Sequence, residues 1–254
     1  PEGSYSTDPA RGEVRVRECK EMIAALHAAG IGVIMDVVYN HVYNAANHSF
    51  NKTVPGYYFR YDDNGSLVNN SGCGNDTASE RKMMRKYIVD SVTYWAKNYN
   101  VDGFRFDLMG LIDTETMKEV RAALDEIDPS IIILGEGWDM NTTMDEGEMT
   151  IQPNAYQVAS DGTNNGIAFF NDSVRDGLKG SVFSDTDTGF VSGRPGEPDR
   201  PQRARLPVRR ERDHDLLERQ RAGSLRRCRT GGQLCRNPRQ HDPVRQAQEV
   251  RPDG

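Results

Sequence analysis

Long apolar runs, clustered cysteines and a signal segment are all missing from this 254-residue sequence. No stretch approaches the roughly 18 consecutive apolar residues of a membrane-spanning helix, so we expect none. The first four residues, PEGS, contain neither Met nor a basic-then-apolar signal, so we expect the chain to begin inside a longer protein. The compartment is left open, with the cytoplasm slightly favoured over secretion. The four cysteines lack metal-site or dense disulfide spacing and are interpreted as free thiols: Cys19, Cys73, Cys228 and Cys235.

Residues 194–254 lack Lys, Ile, Met and every aromatic residue, yet they carry 16 of the 32 basic residues and only 9 of the 38 acidic ones. A segment of this composition has almost nothing with which to build a core. Three interpretations are open: an Arg-rich nucleic-acid arm, a disordered tail, or codons translated in the wrong frame. Residues 1–193 are strongly acidic, so the composition changes abruptly at their end.

Apolar residues spaced three or four apart predict three helices in residues 1–193. Their expected faces are Val16, Cys19, Ile23 and Leu26 in a helix over 11–29; Met84, Ile88, Val92 and Trp95 in a helix introduced by a Thr77–Glu80 capping box; and Met117, Val120, Leu124 and Ile127 in a helix capped by Asp113. Short apolar runs predict strands at 31–38, 101–107, 131–136 and 167–170. The first run is typical of a parallel strand buried on both faces.

Strands that alternate with helices favour a parallel α/β fold. A complete (β/α)8 TIM-type barrel has about eight such units, whereas residues 1–193 contain about four. We therefore predict a partial catalytic barrel over 1–193, with a short inserted loop region or small subdomain at about 42–77. Residues 194–254 are assigned to a frameshifted, disordered tail.

Carboxylates stand where three of the predicted strands end: Asp36, Asp107 and Glu136. In parallel α/β folds, ligands bind at the carboxyl ends of the strands. Asp107 and Glu136 are about one strand–helix–strand step apart, so we expect them in one cleft, where two facing carboxylates suit glycoside hydrolysis. Arg105 lies on the same side of its strand as Asp107 and can hold that carboxylate ionised. A helix cap or a salt bridge is the alternative for each carboxylate taken singly.

Three short segments around these carboxylates resemble conserved regions of the α-amylase superfamily of glycoside hydrolases. They are Asp36-Val37-Val38-Tyr39-Asn40-His41, Gly103-Phe104-Arg105-Phe106-Asp107 and Gly135-Glu136-Gly137-Trp138. Flanking residues 1–9, 71–75 and 187–191 are similar to the type I pullulanase family of α-1,6-glucan debranching enzymes. The resemblance covers about residues 1–193.

The resemblance implies a role for each residue at these strand ends. Asp107 would be the nucleophile that forms a glycosyl-enzyme intermediate, and Glu136 the general acid and then base, with the carboxyl groups about 5–5.5 Å apart. Substrate would be bound by Tyr39 as a stacking platform and by His41, Arg105 and Trp138, while Asp36 and Asn40 would support the site. For Trp138, interior packing is an equally good interpretation.

No cofactor is expected from the resemblance. In some relatives the Asn of the first region, here Asn40, helps to bind calcium, but no second ligand can be named in this sequence. The expected partner is an α-glucan polysaccharide, and neither nucleic acid nor a membrane is expected.

The function implied is retaining hydrolysis of α-1,6 branch linkages in pullulan, starch or glycogen. One alternative is another α-glucan hydrolase or transferase of the superfamily. Another is a barrel fragment that is inactive as written or binds glycan only weakly. That alternative rests on a missing carboxylate, because the family pattern needs a further Asp in a His-Asp-Asn motif well after Glu136.

The written sequence has His241-Asp242-Pro243 near the expected place, but the neighbouring residues match nothing in the family. If Pro238, Arg239 and Gln240 are encoded CCA, CGA and CAA, a shift of one base makes these codons read His-Asp-Asn. The recovered motif and the loss of Lys, Ile and aromatic residues together favour a frameshift near residues 194–210 over a native Arg-rich tail.

Sequencing the coding DNA across codons 185–254 tests the frameshift. We expect one base to be missing or extra, because the corrected frame then contains the His-Asp-Asn motif. A confirmed reading frame would contradict the frameshift and leave the Arg-rich tail as part of the protein.

Overall fold

A computed structural model describes residues 5–140, 142–160, 166–184 and 186–193. The chain divides into two units, one formed by residues 1–171 and the other beginning at Asp172. The predicted tail at 194–254 lies outside the described residues. Its frameshift and the domain boundary after residue 193 therefore stay predictions.

Helices and short strands alternate along the described residues. In chain order they are α1 (Gly12–Ala28), β1 (Ile34–Val37), β2 (His41–Val42), α2 (Ser49–Thr53), β3 (Asn75–Asp76), α3 (Lys82–Tyr99), β4 (Gly103–Phe106), α4 (Thr114–Asp125), β5 (Ile132–Gly135), β6 (Ala168–Phe169) and α5 (Asp172–Lys179). The second unit contributes α5, and all other elements belong to the first. No helix in these ranges has the length and apolar character needed to cross a bilayer.

The first unit is built on a four-stranded parallel sheet, which confirms the predicted mixed α/β class. The strand order is β1-β4-β5-β6, and each neighbouring pair is parallel. In this register Met35, Phe104 and Ile133 lie side by side across three strands. Because successive residues of a strand point to opposite faces, this register also fixes which side chains share the other face.

Helices α3 and α4 pack into the main core, as their apolar spacing predicts. Phe104 and Phe106 of β4 are completely buried there. The residues that the two helices bury in this core are Met84, Ile88, Val92, Ala96 and Tyr99 from α3 and Met117, Val120 and Leu124 from α4. Since burial of apolar area is the main stabilising term in folding, these two helices anchor the sheet.

The predicted face of α1 is wrong at one end. Ile23 is buried and Cys19 packs against the core, but Val16 is 41 % exposed and Val14 is buried instead. The helix therefore meets the core along a row of residues that begins at Val14. The contacts of an amphipathic helix decide which of its apolar residues are buried, and Val14 and Val16 compete for burial at the start of α1.

The strand β1 is buried on one face only, contrary to the prediction. Ile34 is 44 % exposed and Val38 is 53 % exposed, whereas Val37 is buried. On the neighbouring β5, Ile132 is likewise 49 % exposed. The register places Ile34 and Ile132 on the same face of the sheet, opposite the face on which α3 and α4 pack, so this face of both strands is left uncovered among the described residues.

The predicted inserted region contains the antiparallel pair β2 and β3, and its status as a small subdomain stays a prediction. The predicted capping box at its end is wrong. The Thr77 hydroxyl donates to the carbonyl oxygen of Tyr39 at 2.5 Å, and Glu80 pairs with Arg60 at 2.8 Å. Helix α3 instead begins at Lys82 without a side-chain cap, because long-range partners have taken both capping groups.

Asp113 caps α4, as predicted. Its Oδ1 accepts a hydrogen bond from the backbone nitrogen of Thr116 at 2.9 Å, and its Oδ2 accepts from the Thr116 hydroxyl at 2.6 Å. The carboxylate is almost fully buried and pairs with Arg85 at 3.0 Å. This cap holds the helix that immediately follows the turn after β4.

We expect Asp113→Ala to lower the free energy of unfolding by about 1–2 kcal/mol, because a helix cap and a buried ionic partner are lost. Urea unfolding followed by circular dichroism measures the change. Glu119→Ala is the matched control, since Glu119 also pairs with Arg85 at 3.2 Å but its side chain is 50 % exposed. The control should cost less than about 1 kcal/mol, and equal losses in the two variants would contradict the assignment.

Candidate active site

The sheet register brings the predicted carboxylates to one edge. Asp36 of β1 lies beside Arg105 of β4, while Asp107 and Glu136 each follow a strand by one residue. Asp107 continues the ladder by donating its backbone N–H to Val37 at 3.0 Å, and Glu136 donates to Phe106 at 3.1 Å. The three carboxylates therefore stand at the carboxyl ends of adjacent parallel strands.

Arg105 binds all three carboxylates. Its Nη1 lies 2.9 Å from an oxygen of Asp36 and 2.9 Å from Oδ1 of Asp107, and its Nη2 lies 2.6 Å from Oε1 of Glu136. Burial lowers the pKa of Arg105, but its hydrogen bonds to Asp36 and Asp107 and the charge of Glu136 raise that pKa above its ordinary value. The guanidinium stays charged and bridges the two candidate catalytic carboxylates.

Asn40 holds the other oxygen of Asp107. Its side-chain nitrogen donates to Oδ2 of Asp107 at 3.1 Å and to the backbone oxygen of the same residue at 2.6 Å. The amide oxygen of this buried Asn40 contacts Nδ1 of His41, which is itself half-exposed. Asn40 thus supports Asp107 directly and links it to His41.

The turn 108–111 connects Asp107 to Glu136 through its backbone. Leu108 donates its N–H to Oε2 of Glu136 at 3.1 Å, and Gly110 donates to the backbone oxygen of Glu136 at 3.0 Å. Leu108 adopts a left-handed conformation with φ of 37°, which costs a non-glycine residue energy. This strained backbone aims an amide donor at the second oxygen of Glu136.

Tyr39 is almost buried, with 9 % of its surface exposed. Its hydroxyl is 2.8 Å from that of Ser91, and its ring packs against Phe106 and Tyr87 at centroid distances of 6.0 and 6.2 Å. Burial raises the pKa of the Tyr39 phenol, and the hydrogen bond with Ser91 offsets only part of that increase. Its role as a stacking platform stays a prediction.

Trp138 is half-buried, and its backbone packs closely on Gly110. A Cβ at Gly110 would collide with the carbonyl oxygen of Trp138, so only glycine fits there. The predicted sugar contact of Trp138 is untested and stays a prediction.

Several residues around the site were not identified from the sequence. Phe170 lies with its ring centroid 5.8 Å from the Arg105 guanidinium carbon, and Ser91 supports Tyr39 from α3. Phe170 ends the fourth predicted strand run, so its position at the same sheet edge was a usable signal. Leu108 and Ser91 carried no such signal, because their roles depend on backbone conformation and on packing between distant elements.

Among the described residues, no group of three or more His, Cys, Asp or Glu side chains is arranged to hold a metal ion. The side chain of Asn40 is engaged by Asp107 and His41. The expectation that no cofactor is bound, and the calcium alternative at Asn40, are not tested by this arrangement.

These features define a class: an α/β protein with paired carboxylates on neighbouring parallel strands, which is the arrangement of a candidate glycosidase site. No protein-family model matches the chain. Known proteins nevertheless resemble it closely over most of its length.

Curated pullulanases are similar to about three quarters of the chain. The pullulanase of Bacillus subtilis is 47 % identical over 193 residues, which are 76 % of this chain and 26 % of that protein. Pullulanase 1 of Arabidopsis thaliana, a chloroplast protein, is 41 % identical over 207 residues and is covered to 21 %. The chain thus spans about a quarter or less of the length of these relatives.

Solved pullulanases share its fold. The structure from Anoxybacillus sp. LM18-11, complexed with maltotriose, is 55 % identical with a TM-score of 0.71 over 75 % of this chain and 26 % of that one. The structure from Paenibacillus barengoltzii, in complex with maltohexaose and α-cyclodextrin, is 50 % identical with a TM-score of 0.72, over 76 % of this chain and 29 % of that one. The chain fits a fragment of a pullulanase.

The close contact at Gly110 generates a stability prediction. We expect Gly110→Ala to destabilise the chain by about 1–3 kcal/mol, because the new Cβ must push the turn 108–111 away from Trp138. Gly147→Ala is the matched control, since nothing lies within 4 Å of its added Cβ. Urea unfolding compares the two, and similar stabilities would contradict the packing described here.

Proposed function

We propose that this chain carries the nucleophile and the general acid of a retaining glycoside hydrolase that cleaves α-1,6 branch linkages in α-glucans. One observation supports this most strongly: the carboxylates of Asp107 and Glu136 stand on adjacent parallel strands and share the guanidinium of Arg105. The similarity to pullulanases supplies the substrate class.

In the first proposed step, a carboxylate oxygen of Asp107 attacks the anomeric carbon while protonated Glu136 donates its proton to the departing oxygen. In the second step, Glu136 removes a proton from water, which displaces Asp107 from the sugar with overall retention. Arg105 and Asn40 hold the nucleophile on its two oxygens, so that little reorganisation is needed as its charge changes.

Substrate has to change the contacts of Glu136 before the first step. In the described structure its Oε1 pairs with Arg105 and its Oε2 accepts from Leu108, so both oxygens act as acceptors. We propose that the glycosidic oxygen of the bound substrate displaces one of these two donors. Protonated Glu136 can then donate its proton to that oxygen. Asp36, which is mainly exposed, then continues to balance Arg105.

We also propose that the sheet is part of a (β/α)8 barrel. The TM-scores to solved pullulanases and the parallel strand order support this interpretation. In such a barrel the face that carries Ile34 and Ile132 points inward, where further strands would cover it. The carboxylates then lie at the end of the barrel where such enzymes place their sites.

A second candidate concerns the chain as written. We propose that it performs no turnover by itself and binds glucan weakly at most, because its written sequence has no His-Asp-Asn motif. Another α-glucan hydrolase or transferase remains the alternative within the enzymes.

A chimera tests the proposed chemistry. Residues 1–193 replace the corresponding segment of the Bacillus subtilis pullulanase, and the chimera is given pullulan. We expect maltotriose as the product, with the α-anomer formed first when hydrolysis is followed by proton NMR. Cleavage of no pullulan, with transfer onto glucan instead, would favour the alternative, and an inverted first product would contradict the retaining mechanism.

Two substitutions in the chimera test the roles. Asp107→Asn and Glu136→Gln should each lower kcat by about 10²–10⁴-fold, because the nucleophile or the proton donor is lost. Asp145→Asn and Glu148→Gln make the same chemical changes at exposed carboxylates and should leave kcat unchanged. Circular dichroism checks that all four variants are folded, and a loss smaller than about tenfold at either catalytic position would overturn its role.

A further inference from the structure

Arg60, which comes from the inserted region, is a buried cation outside the site already described. Only 3 % of it is exposed, although a charged side chain is expensive to bury without partners. Its guanidinium pairs with Glu80 at 2.8 Å and lies 4.0 Å from the fully buried carboxylate of Asp76. Every nitrogen of the guanidinium has an acceptor, which fixes the plane of the group.

One contact of Arg60 reaches the turn behind the candidate nucleophile. Its Nη1 donates to the backbone oxygen of Leu111 at 2.8 Å, across 51 residues of sequence. Leu111 closes the turn 108–111 by donating its own N–H to Leu108 at 2.9 Å. The same turn supplies the amide donors that hold Glu136, so Arg60 clamps the piece of backbone that joins the two carboxylates.

The backbone of Arg60 is linked to the segment that follows strand β1. Its backbone N–H donates to the oxygen of Asp76 at 3.0 Å, which places it beside β3. The next residue, Thr77, donates its N–H to the backbone carbonyl oxygen of Asn40 at 3.0 Å and its hydroxyl to the backbone carbonyl oxygen of Tyr39 at 2.5 Å. Arg60 therefore connects Asn40, which holds Asp107, with the turn 108–111, which holds Glu136.

We propose that Arg60 is a positioning residue, through which the inserted region sets the arrangement of Asp107 and Glu136. It contacts neither carboxylate: its side chain acts through the turn 108–111, and its backbone is linked to Asn40 through Asp76 and Thr77. This inference rests on the proposed function for its effect on turnover, whereas the clamp on the turn can be measured without any turnover. A displacement of about 1 Å at a reacting group can cost about a hundredfold in rate, so a distant clamp has a measurable effect.

The first measurement is hydrogen exchange, followed by mass spectrometry, on the full chain and on the chimera. Arg60→Met removes the cation at similar length, and Arg60→Lys keeps the charge but loses the planar fork. We expect faster exchange in peptides covering 107–112 in Arg60→Met, an intermediate effect in Arg60→Lys, and no change in peptides from α1. Arg81→Met is the matched control, because Arg81 donates at 2.6 Å to the oxygens of Gly56 and Tyr57 in the same region.

The second measurement is steady-state kinetics of the chimera on pullulan. We expect Arg60→Met to lower kcat by about tenfold or more with KM changed less than about twofold, and Arg60→Lys to recover part of kcat. Arg81→Met should leave both constants unchanged. A role in folding alone would lower the melting temperature and the active fraction, but it would leave kcat per active site, titrated with a covalent inhibitor, unchanged.

The outcomes separate this inference from the proposed function. A chimera that carries unaltered Arg60 and cleaves no pullulan contradicts the proposed function. Hydrogen exchange in peptides covering 107–112 then tests by itself whether Arg60 restrains the turn 108–111. Unchanged exchange in those peptides overturns the inference whatever the activity. Faster exchange with unchanged kcat per active site in a working chimera overturns it as well. If Arg60→Met does not fold, Arg60→Lys is measured by the same criteria.

Discussion

The guanidinium of Arg105 lies within 2.9 Å of oxygens from three carboxylates on adjacent strands. Three negative groups at one sheet edge repel one another, and a partly buried cation among them makes the arrangement possible. The pKa of Arg105 is raised above its ordinary value because its partners outweigh the effect of burial, so the cation keeps its charge. Without this interaction, the register that brings Asp36, Asp107 and Glu136 together would cost free energy.

The backbone around Arg105 is shaped by the same requirement. The left-handed conformation at Leu108 costs energy locally, and it presents an amide to Glu136. Such strain persists only when surrounding contacts determine the backbone conformation. The absence of a side chain at Gly110 lets the turn lie against Trp138, and the buried guanidinium of Arg60 binds the end of the turn at Leu111.

The two faces of the sheet serve different purposes. Helices α3 and α4 bury one face, and the stability of the first unit rests on that contact. The other face carries Asp36 and Arg105, together with exposed apolar residues such as Ile34 and Ile132. In the proposed barrel this second face becomes the interior, which explains why residues so apolar stand uncovered in a chain that spans about a quarter of its relatives.

Local periodicity is enough to predict the alternation of helices and strands, the buried rows of α3 and α4, and the position of Asp107 and Glu136 at strand ends. Three predictions were wrong because they depend on contacts with neighbouring elements: the buried face of α1, the burial of β1 on both faces, and the Thr77–Glu80 capping box. No local pattern predicts that Arg105 binds Glu136 or that Arg60 binds Leu111. These partners are far apart in sequence, 51 residues for Arg60 and Leu111, so the packing of the whole unit selects them.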